Sequence, residues 1–272
     1  MRFITRPDGV RLAYEEQGSG PLVVLANQFF GDSDTFWALI RNLTGDHRLV
    51  SYHLRGTGNS DRRGPYDFET DAADLQAVVE EAGEPALLLA FADGCNRAVR
   101  VAARRPDLVT AVVSPAGNPV GLDAVQGTDA LAASTSVLEA LVGMMSTDYR
   151  GALRTMFSTA NPDWEEDRVR QRVVAISEMV PQEAALPRMK SWIADNVTDE
   201  ARAIGDRLWM LEDGTNPWFP LEVARQTQKI LPEAHILEVE DGAISRPDIT
   251  ADVIRRITSA APVASQRREQ AL

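Results

Sequence analysis

The 272-residue chain has one cysteine, three histidines and two lysines, Lys190 and Lys229. A lone Cys95 excludes an intramolecular disulfide and fits a reducing compartment. No Cys/His cluster has zinc-ligand spacing, so neither a metal nor another cofactor is expected. No apolar run approaches the roughly 18 residues of a membrane span. The opening stretch MRFITRPDGV lacks the apolar segment of a signal peptide. Basic charge is outweighed, with 28 Lys plus Arg against 40 Asp plus Glu and a net charge of −12. That balance argues against a nucleic-acid face and against anionic membrane surfaces. A cytoplasmic location is expected, with a small molecule as partner, no nucleic acid or membrane, and room for a homodimer.

Hydrophobic residues make up 44% of the chain and charged residues 25%, ordinary for a globular protein. The length suits one large domain, or a core carrying an inserted lid. Residues 10–17, VRLAYEEQ, alternate as an exposed antiparallel strand would. PLVVLA and PALLLAFA are short apolar runs, suited to strands buried on both faces, and RLVSYHL and LVTAVVSP read as further strands. Helical periodicity covers residues 70–82, with Ala72, Leu75, Val78 and Val79 on one face, and DGCNRAVRVAARRP reads as a helix ending near Pro106. Strands alternating with helices imply a mostly parallel sheet in an α/β fold. From about Val120 to Arg202 the alternation gives way to several helices rich in Met and Trp; it resumes with RLWMLED, a helix over 221–230, HILEVED and a last helix over 248–257. The expected division is a core of residues 1–119 and 203–260, a helical cap over 120–202, and a frayed tail over 261–272.

Three segments matter together. AFADGC (90–95) follows a buried run and opens a helix, with small residues Ala90 and Gly94 flanking Ala92. HLRGTGNSD spans 53–61, and ANQFFGDSDTFW spans 26–37. In order and spacing these resemble the nucleophile elbow, the Asp-x-Arg-Gly-x-Gly-x-Ser-Asp loop and the His-Gly oxyanion turn of the capped α/β-hydrolase superfamily, the relatives of epoxide hydrolases, haloalkane dehalogenases and esterases. The resemblance covers nearly the whole chain. It implies an α/β-hydrolase fold, a mostly parallel sheet flanked by helices, with a helical cap.

The chain departs from that pattern where the chemistry would be. The resemblance puts Ala92 at the nucleophile, Asn216 of EDGTNPWFP at the acid, and Ala243 of EDGAISRPD at the histidine. An alanine cannot attack, and an amide cannot stabilise an imidazolium by charge. The alternative register, with Asp93 as nucleophile, would force Phe91 into a position too tight for it. Backbone donors survive side-chain replacement, so the resemblance leaves an oxyanion hole at the N–H groups of Phe29 and Asp93.

His53 stands at a strand end where the family has Asp. It could shuttle a proton near neutral pH, or simply bond within the Arg55 loop. Asp93 could accept a proton, its pKa raised by burial, or could cap the following helix. Asn27 and Gln28 are expected to contact a ligand. Phe91, Trp218, Met144 and Met145 are expected to shape an apolar pocket for a fairly large substrate. Cys95 suits tight packing better than nucleophilic attack; His47 and His235 suit structural roles, and Arg97 suits the helix surface or an ion pair.

Three functional classes follow. The first is a non-hydrolytic enzyme on a hydrolase scaffold, performing cyclisation, isomerisation or elimination in natural-product biosynthesis. The second is a ligand-binding pseudohydrolase. The third is a hydrolase with rebuilt machinery.

Overall fold

The computed structural model describes residues 1–30, 37–121, 129–212, 221–240 and 246–260, with only the backbone at 37 and 129–135. Eight strands form one sheet: β1 (Arg2–Thr5), β2 (Arg11–Gln17), β3 (Leu22–Ala26), β4 (Arg48–Tyr52), β5 (Ala86–Ala90), β6 (Val109–Pro115), β7 (Leu208–Glu212) and β8 (His235–Glu238). Their spatial order is β1-β2-β4-β3-β5-β6-β7-β8. The β1–β2 and β2–β4 pairs are antiparallel and every other pair is parallel. The α/β architecture expected from the strand–helix rhythm is therefore present.

LVVLA and ALLLA are buried at every position because both sheet faces are covered. Side chains alternate between the faces, as strand geometry requires. Val24, Leu88 and Val112 join the larger core, beneath α2 (Phe68–Ala82) and α3 (Gly94–Arg104). Val23, Leu25, Leu87, Leu89 and Val113 join the smaller one, beneath α1 (Trp37–Leu43) and α10 (Pro247–Ala260). The β3–β5 register pairs Ala26 with Ala90, so the segments leaving both strands begin side by side. The carboxyl ends of parallel strands are where α/β sheets bind ligands.

α2 begins two residues before the expected Thr70. The Asp67 carboxylate accepts the Thr70 N–H at 2.8 Å, and Gly83 ends the helix in the left-handed conformation. Strand β1 has no counterpart in the sequence reading, and its pattern of one buried residue in four explains why. β2 is less exposed than its alternation suggests, with Leu12, Ala13 and Tyr14 all buried between two neighbouring strands.

Among the described residues, five α-helices lie between β6 and β7: α4 (Asp129–Thr147), α5 (Tyr149–Ala160), α6 (Glu166–Met179), α7 (Gln182–Ile193) and α8 (Thr198–Ile204). Ion pairs fasten this insertion to the sheet's helices. Arg188 of α7 meets Asp71 of α2 at 2.7 and 2.9 Å, and Arg100 of α3 meets Asp195 at 2.7 Å. The helix α9 (Leu221–Ile230) connects β7 to β8. Among the described residues, no helix is long and apolar enough to cross a membrane. The tail over 261–272 lies outside the described residues.

Candidate active site

The turn from β5 into α3 is unusually tight. A Cβ on Gly94 would stand 2.1 Å from the Ala26 carbonyl oxygen, so only glycine lets the helix start this close to β3. Ala92 takes up the strain with φ of 45°, in the left-handed region that L side chains rarely adopt. Its N–H donates to the Pro115 carbonyl at 3.1 Å, tying the turn to the end of β6. The left-handed position thus belongs to Ala92 rather than Asp93, and it carries a methyl group.

Phe91 is not in the wall of the cavity described below. It continues the alternation of Leu87 and Leu89 and is buried with them in the smaller core, so the expected ligand contact is corrected.

Asp93 neither caps α3 with its side chain nor leaves Phe29 free. Its Oδ2 accepts the Phe29 N–H at 3.3 Å and pairs with Arg97 Nη2 at 2.8 Å. The helix makes no side-chain cap bond with it. The oxyanion donor expected at Phe29 is therefore engaged by this carboxylate. Arg97 is not on the helix surface: it is fully buried, lies over the Phe68 ring and also donates to the Asn27 carbonyl. Asp93 and Arg97 together clamp the 27–29 turn to α3. Burial pushes the Asp93 carboxyl up to about 6, against the opposing pull of Arg97 and the Phe29 hydrogen bond. A group with that pKa can both take and give a proton near neutrality.

His53 is braced by its own loop. The Asn59 N–H donates to His53 Nδ1 at 2.9 Å, and Gly58, at φ of 50°, passes so close that a Cβ would meet Nδ1 at 2.5 Å. Because Nδ1 accepts, the neutral ring carries its proton on Nε2. Burial lowers the His53 pKa, with Glu15 opposing. The expected proton-shuttling base is thus a neutral hydrogen-bond donor in this geometry. The same loop is fixed underneath by Arg55, whose guanidinium grips Asp74 at 2.7 and 2.9 Å.

A cavity of about 250 Å³ opens at these strand ends, with Asn27, Gln28, Phe29, Tyr52, His53 and Met179 in its wall. It brings Asn27, Gln28, Phe29 and His53 into one wall. Met144 and Met145 are elsewhere: Met144 is exposed on α4, and Met145 packs into the larger core. The methionines at the cavity are Met1 and Met179, the latter the last residue of α6. Asn216, Trp218 and Ala243 lie outside the described residues.

Cys95 is buried and its thiol is pushed up to about 12 by that burial, which leaves it inert. His47 bridges Asp46 and Thr258, and His235 stacks on Trp209 at 3.9 Å, both structural contacts. No three His, Cys, Asp or Glu among the described residues cluster so as to hold a metal. Arg97 and Tyr52 were missed as site residues; the Asp93–Arg97 spacing of four on one helix was the available signal for the first.

The fold has close counterparts among solved structures. An esterase from Exiguobacterium antarcticum superposes with a TM-score of 0.78 at 17% identity, over 94% of this chain and 98% of that one. A bromoperoxidase from Bacillus anthracis gives 0.77 at 16%, over 92% and 96%. E-2-(acetamidomethylene)succinate hydrolase gives 0.71 at 19%, over 95% and 100%. At such identities the likeness is one of fold alone. In sequence, 109 residues are 35% identical to part of the polyketide synthase ThaQ of Burkholderia thailandensis, a stretch that covers 39% of this chain and 5% of that much longer protein. The sequence profile described as alpha/beta hydrolase fold matches residues 21–243. The chain belongs to the alpha/beta hydrolase fold family.

Proposed function

We propose that this protein is a non-hydrolytic enzyme on the hydrolase scaffold, catalysing cyclisation, isomerisation or elimination on a fairly large apolar or aromatic small molecule. The carrying observation is Asp93, a buried carboxyl raised to about 6 and placed directly after a turn whose strained residue is Ala92. In this reading the Ser-His-Asp triad is lost at Ala92, Asn216 and Ala243. The cavity holds the substrate in a reactive conformation, Asp93 moves a proton, and His53 donates a hydrogen bond from Nε2. The helices over 120–202 act as a lid. Partial similarity to a polyketide synthase supports a natural-product setting.

A second reading, a binding protein without turnover, draws on the Asp93–Phe29 hydrogen bond, which already fills the donor that an incoming carbonyl would need.

Incubating catalytic amounts of pure protein with a metabolite extract in ¹⁸O-labelled water tests the proposal by mass spectrometry. The expected result is a compound consumed in many-fold excess over protein, with unchanged mass or a small neutral fragment lost and no ¹⁸O gained. Incorporation of labelled water would make it a hydrolase. A ligand held at about one per chain without turnover would establish the binding protein.

A further inference from the structure

Resting on the non-hydrolytic reading, the geometry narrows the substrate class. We infer that Asp93 and the Phe29 N–H form one coupled device for enolisation, and that the substrate is a carbonyl compound with an acidic α-C–H bond, a 1,3-dicarbonyl in particular.

The two oxygens of Asp93 have different surroundings. Oδ2 makes both contacts, to Phe29 N at 3.3 Å and to Arg97 Nη2 at 2.8 Å. Oδ1 makes no hydrogen bond with a described residue. The side chain as a whole keeps 7% exposure, and its Oδ2 holds the N–H of Phe29, a residue of the cavity wall, so the carboxyl stands one hydrogen bond behind that wall. The carboxylate therefore offers one free oxygen to a proton while the other holds the donor that an enolate oxygen needs. Arg97 has donors to spare: its Nε and Nη1 are buried without a hydrogen-bond partner, as is the Tyr52 hydroxyl in the cavity wall. A buried guanidinium so underused can accommodate negative charge that shifts between two neighbouring acceptors.

The step balances within the site. The α-C–H bond breaks, the proton moves to Asp93 Oδ1, and the electron pair forms the C=C bond while the carbonyl π pair moves onto oxygen. Charge leaves the carboxyl and appears on the enolate. A neutral carboxyl is a poorer acceptor, so Oδ2 loosens its hold on the Phe29 N–H as the enolate oxygen comes to need it. Cyclisation, isomerisation or elimination differs only in where the enolate's electrons go next. Elsewhere in the same cavity wall, the His53 Nε2–H supplies a donor for a second carbonyl, hence the preference for a dicarbonyl. The groups facing Asp93 are Arg97 on its own helix, Asp71 from α2 and the neighbouring Cys95, with the Tyr52 hydroxyl of β4 acting on Arg97.

The test uses 2-methyl-1-phenylbutane-1,3-dione in deuterated water, following α-proton exchange by NMR above the uncatalysed background. The wild-type protein should catalyse exchange, and Asp93→Asn, which keeps the shape of the side chain, should lose at least about a hundredfold. In parallel, the Phe29 amide resonance of the labelled protein is followed against pH. It should titrate in the neutral range in wild type and stay flat in Asp93→Asn. Asp93→Glu, with its base displaced but present, should recover part of the exchange. No exchange by the wild type would overturn the substrate class, and turnover in the metabolite assay would then still uphold the non-hydrolytic reading. Equal exchange in Asp93→Asn would overturn Asp93 as the base. A flat Phe29 resonance in wild type would overturn the coupling, whatever the activity.

Discussion

Asp93 Oδ2 stands 2.8 Å from Arg97 Nη2, one helical turn along α3, with both side chains buried. Removing one member of such a pair leaves the other charge stranded in the interior. Arg97→Met should therefore cost about 3–5 kcal/mol of stability, read from urea denaturation. It should also raise the Asp93 pKa further, because the guanidinium is the chief influence holding it down. A loss under about 1 kcal/mol would mean that the pair is solvated after all.

Asp93 makes folding pH-dependent in a direction unusual for a carboxylate. Its folded-state pKa is raised to about 6 from the ordinary 3.8. As pH rises, the unfolded chain loses this proton first. Between those two values the folded state binds more protons than the unfolded one, so this residue's contribution to stability falls with pH and levels off above the folded pKa. Asp93→Asn removes the titration. The stability of wild type minus that of Asp93→Asn should decline from about pH 4 to about pH 6 and be flat beyond, in denaturation series across pH.

Cys95 is closed to solvent, and its thiol stays protonated under ordinary conditions. A disulfide reagent at mildly alkaline pH should label it only at the rate at which the fold opens. Fast labelling of the native protein would contradict the packing described for α3.

Ala92→Ser would place a hydroxyl on the strained turn without supplying a histidine to activate it. The described histidines are committed elsewhere: His53 accepts from Asn59, His47 bridges Asp46 and Thr258, and His235 stacks on Trp209. Hydrolysis of p-nitrophenyl esters should therefore remain at background. A gain of esterase activity would show that a triad histidine has an unrecognised substitute.

Much of the fold could be read from the sequence because its signals are local. LVVLA and ALLLA announce strands buried on both faces, and the run of helices after Val120 marks the insertion. Strand β1 escaped because its four residues bury only Ile4. The site was less legible. Asn27, Gln28, Phe29 and His53 come together because they follow adjacent strand ends, which spacing alone suggests. What spacing cannot give is direction. Phe91 turns into the core by strand alternation, and Met144 and Met145 follow their helix away from the cavity. Nor does sequence reveal that the Asp93 carboxylate bends back to the Phe29 N–H, since that depends on how two segments 64 residues apart approach each other.

The same limits apply to the buried pair between Arg188 and Asp71, whose side chains are fully enclosed. Arg188→Ala should lower stability by about 3–5 kcal/mol, whereas the double change Arg188→Met with Asp71→Leu should restore most of the loss, because no charge is then left unpaired. Chemical denaturation of the three variants would measure both effects.

The central claim, that a proton-transfer carboxyl is built into this site at Asp93, is tested most directly by ¹³C NMR titration of the Asp93 carboxyl carbon in the folded protein, assigned by comparison with Asp93→Asn. A midpoint near 6 is the predicted result. A carboxyl that stays ionised down to about pH 4 would contradict it, because Arg97 would then outweigh burial and Asp93 would be one half of a structural ion pair.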